Sequence, residues 1–173
     1  MRHAQHVSRV TCGGSRKIFD AMAERNFNQP IVGVGVMIMK DGKVLLGLRR
    51  GAHGAGEYAF PGGHLELGES YAACASREIE EECGVQVKNL RFQFTSNSMR
   101  FAPRHYIHIG MIADWAAGEP VNREPNKCGG WIWCDPNAPP QPLFIFAAQA
   151  FESLKSGQVC IDQDGLWAFL GEC

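Results

Sequence analysis

Alternation is the first signal in the chain. Val32, Val34, Val36 and Ile38 alternate with Gly33, Gly35, Met37 and Met39, the two-residue period of a β-strand. The paired glycines thin one face of that strand, which lets another backbone or a ligand come close. Asp41-Gly42 is a hairpin turn signal, and 44–48 reads as the returning strand. A loop containing Gly51, Gly54 and Gly56 follows, with Arg49 and Arg50 at its mouth. A short strand is expected over 58–60, stopped by Pro61-Gly62-Gly63.

The period then changes. Residues 70–83 read as a helix, with Glu69-Ser70 in its N-cap region and Gly84 where a C-terminal glycine belongs. Strands are expected over 85–94, 106–113 and 131–134. After Pro139-Pro140, 143–154 reads as an amphipathic helix closed by Ser156-Gly157. Residues 1–29 lack clear periodicity and read as an extension, and 158–173 as a short tail. Between them, 30–157 is expected to form one α+β domain with layers in the order α/β/α.

Composition narrows the class. With 173 residues, 45% of them hydrophobic and 20% charged, a real core is expected. The net charge of -1, from 17 basic and 18 acidic residues, argues against a protein that coats a nucleic-acid polymer or an anionic membrane. A local basic patch for a small phosphate ligand remains allowed. No apolar run approaches the roughly 20 residues of a membrane span. The 7 cysteines include no Cys-x-x-Cys pair, so a structural zinc site is unsupported and a reducing, cytoplasmic compartment is expected. Cys74 and Cys83 read as small apolar filler in the first helix. The early basic residues Arg2, Arg9, Arg16 and Lys17 leave organellar targeting as the alternative location.

The chemistry concentrates in 63–85. Residues three and four apart share a helix face, so Glu78, Glu81 and Glu82 are expected to point one way. Ala72, Ala75, Ile79 and Cys83 form the adjacent apolar stripe, and Glu80 points to solvent. Carboxylates crowded on one face repel each other, and a hard cation such as Mg²⁺ removes that repulsion. A solvated acidic face with Arg77 as partial counter-charge explains the spacing equally well.

The wider pattern separates the two. Gly63, Glu69, Arg77-Glu78-Ile79, Glu81-Glu82 and Gly84-Val85 resemble the Nudix box at every defined position, nine positions over 23 residues. The resemblance implies the Nudix fold, a mixed sheet sandwiched between helices, and hydrolysis of a nucleoside diphosphate linked to another moiety. It also implies that Glu78, Glu81 and Glu82 are metal ligands, with Gly63 offering a backbone carbonyl. The metal implied is Mg²⁺, with Mn²⁺ as an alternative. Glu69 and Arg77 resemble the ion pair that holds the loop against the helix.

Beyond the box, Gly33-Val34-Gly35-Val36, Val44-Leu45-Leu46-Gly47, Gly54-Ala55-Gly56, Glu124-Pro125, Lys127-Cys128 and Trp131-x-Trp133 resemble a MutT-like subgroup of nucleotide diphosphatases. That subgroup includes the human thiopurine-nucleotide diphosphatase. The resemblance implies that Arg49 contacts phosphates, a role its guanidinium fork suits. Phe144 and Phe146 are expected to wall a base pocket by stacking. Phe146 stands where the subgroup has a glycine, so modest base selectivity is expected, and Phe146→Gly is expected to change preference more than stability. Of the downstream acids Glu119 and Glu124, the second is the better candidate for a general base, beside Glu78 and Glu82. His64 is given no catalytic role, and one of Trp131 and Trp133 is expected in the core.

The function these features imply is an Mg²⁺-dependent nucleoside triphosphate diphosphatase, releasing a monophosphate and pyrophosphate. A nucleotide-sugar or ADP-ribose pyrophosphatase is the nearest alternative. A catalytically silent, nucleotide-binding regulatory domain is another, although such a domain should have lost box carboxylates. The partner implied is a nucleotide, with a homodimer as a further expectation.

Overall fold

The computed structural model describes residues 29–51 and 53–162. The proposed extension up to residue 28 and the tail from 163 onward lie outside the described residues. Ten elements follow in chain order: β1 (Ile31–Lys40), β2 (Lys43–Arg49), β3 (Tyr58–Ala59), β4 (Gly62–His64), α1 (Tyr71–Glu82), β5 (Gln86–Phe101), β6 (Arg104–Ala117), β7 (Cys128–Cys134), α2 (Ile145–Ser156) and β8 (Cys160–Asp162).

The strands form one mixed sheet with the order β3-β2-β1-β6-β5-β8. β4 lies antiparallel to β1, and β7 antiparallel to β2. β1 and β6 run parallel, placing Gly33 beside His108 and Gly35 beside Gly110. Because strand side chains alternate, β1 feeds two cores. Val34, Val36 and Ile38 face one side with Ile109 and Met111, where Cys74, Ala75 and Ile79 of α1 dock together with its C-cap Cys83. Met37 faces the other with Phe94 and Ile112, against Ala150 and Phe151 of α2. This is the α/β/α sandwich expected from the sequence. Burying a side chain such as Ile79 contributes about 1.5–3 kcal/mol, so the apolar stripe, more than helix propensity, seats α1.

Both helices end as their residues dictate. Ser70 caps α1 by accepting a hydrogen bond from the Ala73 N–H, and Gly84 follows in the left-handed region at φ 66°. Gly157, at φ 74°, terminates α2 in the same way.

Five expectations need correction. Ala72 is exposed, and Cys74 takes its place in the stripe. Residues 62–64 form β4, because their backbone pairs with β1 despite the glycines. α2 begins at Ile145 rather than 143: Leu143 bridges Tyr58, and the Phe144 N–H bonds the Tyr58 carbonyl, which keeps both extended. β5 and β6 are longer than expected and make one long hairpin. Ser96 and Ser98 occupy buried positions in it, so hydrophobic alternation breaks where the strand continues. Residues 160–162 pair in parallel with β5, so the sheet extends past the expected boundary at 157.

Candidate active site

A cavity of about 470 Å³ is lined from β1, β4, β6, both helices and the glycine loop. One end is acidic. Glu78 and Glu82 lie there beside Gly62 and Gly63. The Gly62 N–H donates to Glu82 Oε2 at 3.0 Å. Burial pushes the Glu82 carboxyl up to about 7 against that hydrogen bond, and the charges of Glu78 and Glu124 push it the same way. Burial also raises Glu78, opposed by its hydrogen bond from Arg77. Gly63 has no room for a side chain, since a Cβ would stand 2.2 Å from Glu78 Oε1. The carboxylate therefore packs directly on the backbone of the first box glycine.

The three box glutamates do not point one way. Glu81 is 56% exposed, 3.4 Å from Arg77 Nη1, and is absent from the cavity wall. Successive helical residues are about 100° apart, so α1 turns Glu82 inward and Glu81 outward, leaving Glu81 at the rim. Glu80 is exposed and pairs with Arg123. Glu124 is held at the rim by Lys127 Nζ at 2.7 Å, and Lys127 itself lines the cavity. Glu119 pairs instead with Lys40 and is well exposed.

Arg77 organises this end. Its Nε and Nη2 donate to the two oxygens of Glu69 at 2.9 and 3.0 Å. Nη1 reaches Glu78 at 2.6 Å, and Nη2 also reaches the His64 carbonyl at 3.1 Å. The pair is shielded, with side-chain exposures of 26% for Arg77 and 13% for Glu69. The Arg77 hydrogen bonds hold the Glu69 carboxyl down to about 2 from its ordinary 4.5. The unfolded chain thus binds the extra proton between those pH values. The pair's contribution to stability is present above about pH 4.5 and is lost as pH falls toward 2. Arg77→Ala is expected to reduce activity at least about tenfold through loss of positioning and to lower Tm. The Tm difference between wild type and Glu69→Gln is expected to close in acid. Unchanged melting and turnover in Arg77→Ala would remove the pair's role.

Arg49 ends β2 and lines the cavity. Its Nε donates to the His53 carbonyl at 3.0 Å, and its guanidinium lies 4.3 Å from the centroid of Phe144. Burial lowers its pKa, an effect opposed by the charge of Glu82. Arg50 reaches the Pro125 carbonyl at 3.2 Å and stays outside the cavity lining.

The other end is aromatic. Phe144 and Phe146 both line it, and Phe146 is only 8% exposed. Its ring stacks on His108 with centroids 4.2 Å apart and planes 1° from parallel. Phe101, at the tip of the β5–β6 hairpin, stacks on Phe144. Arg104 from the same tip hydrogen-bonds His53 in the glycine loop. Trp131 lines the cavity and is half-buried, as is Trp133, so neither tryptophan is a pure core residue. His108, Tyr106, Phe101, Arg104 and Lys127 carried no site expectation from the sequence. The one available signal was a histidine within the apolar run 106–113.

A divalent cation is what the box pattern implies, and the donors present fit one. Carboxylates whose ionised forms are disfavoured chiefly by burial, with Glu78 packed on a glycine backbone, suit a hard cation. Among the described residues no group of three His, Cys, Asp or Glu forms a closed metal cage.

The chain is similar in sequence and fold to known proteins. A MutT NUDIX hydrolase from Burkholderia pseudomallei superposes with a TM-score of 0.68 at 32% identity, covering 72% of this chain and 97% of that one. The NAD-capped RNA hydrolase NudC of Photobacterium profundum is 33% identical over 141 residues, 77% of this chain and 51% of that protein. The ADP-ribose pyrophosphatase of Methanocaldococcus jannaschii is 37% identical over 110 residues, 61% of this chain and 64% of that protein. The chain spans about half the length, or less, of the NudC relatives it matches. The NUDIX domain profile matches residues 29–154, and with the box helix and sandwich in place, the chain belongs to the Nudix domain family.

Proposed function

We propose that this chain is a divalent-metal-dependent Nudix hydrolase that cleaves a phosphoanhydride bond of a nucleotide. The observation that carries the reading is one cavity with two unlike ends. Buried carboxylates with nearby Arg49 and Lys127 occupy one end, and stacked aromatic rings the other. The first end suits phosphates and a cation, and the second a flat heterocycle. Mg²⁺, or Mn²⁺ in its place, would be held by Glu78 and Glu82 with the Gly63 carbonyl; Glu81, turned outward and paired with Arg77, would join them only by leaving that partner. The cation supplies charge neutralisation at the phosphates and makes water more acidic.

The chain's own residues do the rest. Arg49 orients the phosphates from its seat on Phe144. Water attacks phosphorus, the anhydride P–O bond breaks, and Glu78, Glu82 or Glu124 accepts the water proton. The first candidate reaction is that of a nucleoside triphosphate diphosphatase giving a monophosphate and pyrophosphate, supported by cationic Arg49 and Lys127 beside the acidic end. The names of the NudC and ADP-ribose pyrophosphatase relatives favour a second reading, in which the nucleotide is NAD-like or ADP-ribose. The near-neutral charge of -1 supports a small nucleotide over an RNA chain.

The test is hydrolysis of nucleoside triphosphates, ADP-ribose, NAD and NAD-capped RNA by purified protein with Mg²⁺ or Mn²⁺. Pyrophosphate release from triphosphates, faster than any cleavage of the other three, is expected. Faster cleavage of ADP-ribose or NAD moves the assignment to the second reading, and no hydrolysis at all leaves a binding domain.

A further inference from the structure

His108 sits on the floor of the cavity, 7% exposed, on the central strand β6. Its backbone pairs within the sheet, and its carbonyl also accepts from the Thr95 hydroxyl. Neither ring nitrogen has a hydrogen-bond partner among the described residues, and burial alone lowers its pKa, to about 3. The imidazole is therefore neutral at physiological pH and carries one N–H donor and one acceptor nitrogen. A buried polar ring without partners is unfavourable, and phenylalanine would fill the place without that cost.

The surroundings hold the ring in the cavity wall. The face of Phe146 fixes its plane, and Phe94 lies tilted against it. The polar edge lies over the two β1 glycines. A Cβ on Gly35 would come within 2.9 Å of His108 Cε1 and 3.1 Å of Nε2, so alanine there would displace the ring. A Cβ on Gly33 would stand 3.7 Å from both His108 Nδ1 and the Gly63 carbonyl. Gly33 thus separates the imidazole from the box backbone, and both glycines line the cavity. The thin face of β1 is occupied by a side chain of this protein, and that side chain offers unpaired hydrogen-bonding atoms.

We propose that His108 is a specificity-determining residue whose imidazole edge hydrogen-bonds the heterocycle of the nucleotide bound in this cavity. This rests on the proposed nucleotide-hydrolase reading of the site. A neutral donor–acceptor pair matches a base edge or its carbonyl or amine substituents, whereas phosphate calls for cations. Arg49 and Lys127 supply those at the acidic end.

His108→Phe keeps the ring stack and removes both nitrogens, while His108→Asn restores a donor and an acceptor. The measurements are kcat/KM for ATP, GTP, CTP, UTP, ADP-ribose and base-free ribose 5-triphosphate, and the ring ¹⁵N shifts of wild-type His108 on adding AMP, GMP, CMP or UMP. His108→Phe is expected to lower kcat/KM for the best substrate at least about tenfold, mainly through KM. The base-free compound should stay within about threefold, and His108→Asn should recover part of the loss. At least one monophosphate should move a ring nitrogen. An unchanged base ranking in His108→Phe, or an equal loss on the base-free compound, would overturn the role. If wild type hydrolyses nothing in the panel, the hydrolase reading fails by itself. The ¹⁵N shifts then decide for His108: movement supports it, and no movement with any monophosphate overturns it.

Discussion

Glu82→Gln is expected to lower turnover at least about a hundredfold, equivalent to about 2.7 kcal/mol or more of transition-state stabilisation, with the fold intact. The side chain keeps its length, and its amide oxygen can still accept from the Gly62 N–H that bonds Glu82 at 3.0 Å. What disappears is a negative charge at the acidic end. Folding should not suffer, because burial and the charges of Glu78 and Glu124 already disfavour ionisation of Glu82. A neutral amide relieves that cost, so Tm should be unchanged or slightly higher. Steady-state kinetics under saturating Mg²⁺, paired with a thermal melt, make the check. Near-wild-type turnover in a folded variant would take Glu82 out of the catalytic machinery.

Phe146→Ala is expected to destabilise the protein by about 3–5 kcal/mol, the usual cost of deleting a buried aromatic ring. For a domain of this size that lowers Tm by about 10 °C. The sequence suggested a pocket residue whose loss would change preference more than stability. At 8% exposure, with His108 stacked on it at 4.2 Å, Phe146 is also part of the packing that seats α2. Its removal leaves a void beside the imidazole and frees that ring to rotate, so substrate preference should change as well. Thermal melts and the triphosphate panel separate the two effects. A Tm within about 2 °C of wild type would mean that α2 closes over the void without cost and that the ring is pocket lining alone.

The box was legible because its chemistry is local. Gly63, Glu69, Arg77, Glu78 and Glu82 fall within a short stretch; helical spacing brings Glu78 and Glu82 to one end of the cavity, and β4 brings Gly63 beside them. The bidentate Glu69–Arg77 pair and the Ser70 cap are local in the same sense. Spacing misled at Glu81, because an i, i+3 relation brings two residues near each other without aiming both at the same target. The aromatic end was less legible because it depends on pairing across distant strands. His108 reaches the site through the parallel register of β6 on β1, and Phe101 through a hairpin whose inward residues Ser96 and Ser98 are polar. The glycines of β1 correctly signalled a close approach, but pattern alone could not name the ring that fills it.

The parallel register of β1 on β6 also bears on how the molecule comes to exist. Ile31 meets Tyr106, and Met39 meets Asp114, so the central pairing joins segments about 75 residues apart. Such a pairing pays its loop-closure entropy before its contacts form, and topologies built this way fold slowly. α1 and the β5–β6 hairpin can organise early, since their partners are near in sequence, but neither contains a complete binding site. On a ribosome, the acidic helix emerges well before the strand that carries His108. The two ends of the cavity share one frame only with the β1–β6 pairing in place, since β1 carries the glycines beneath the imidazole and β6 carries His108 itself.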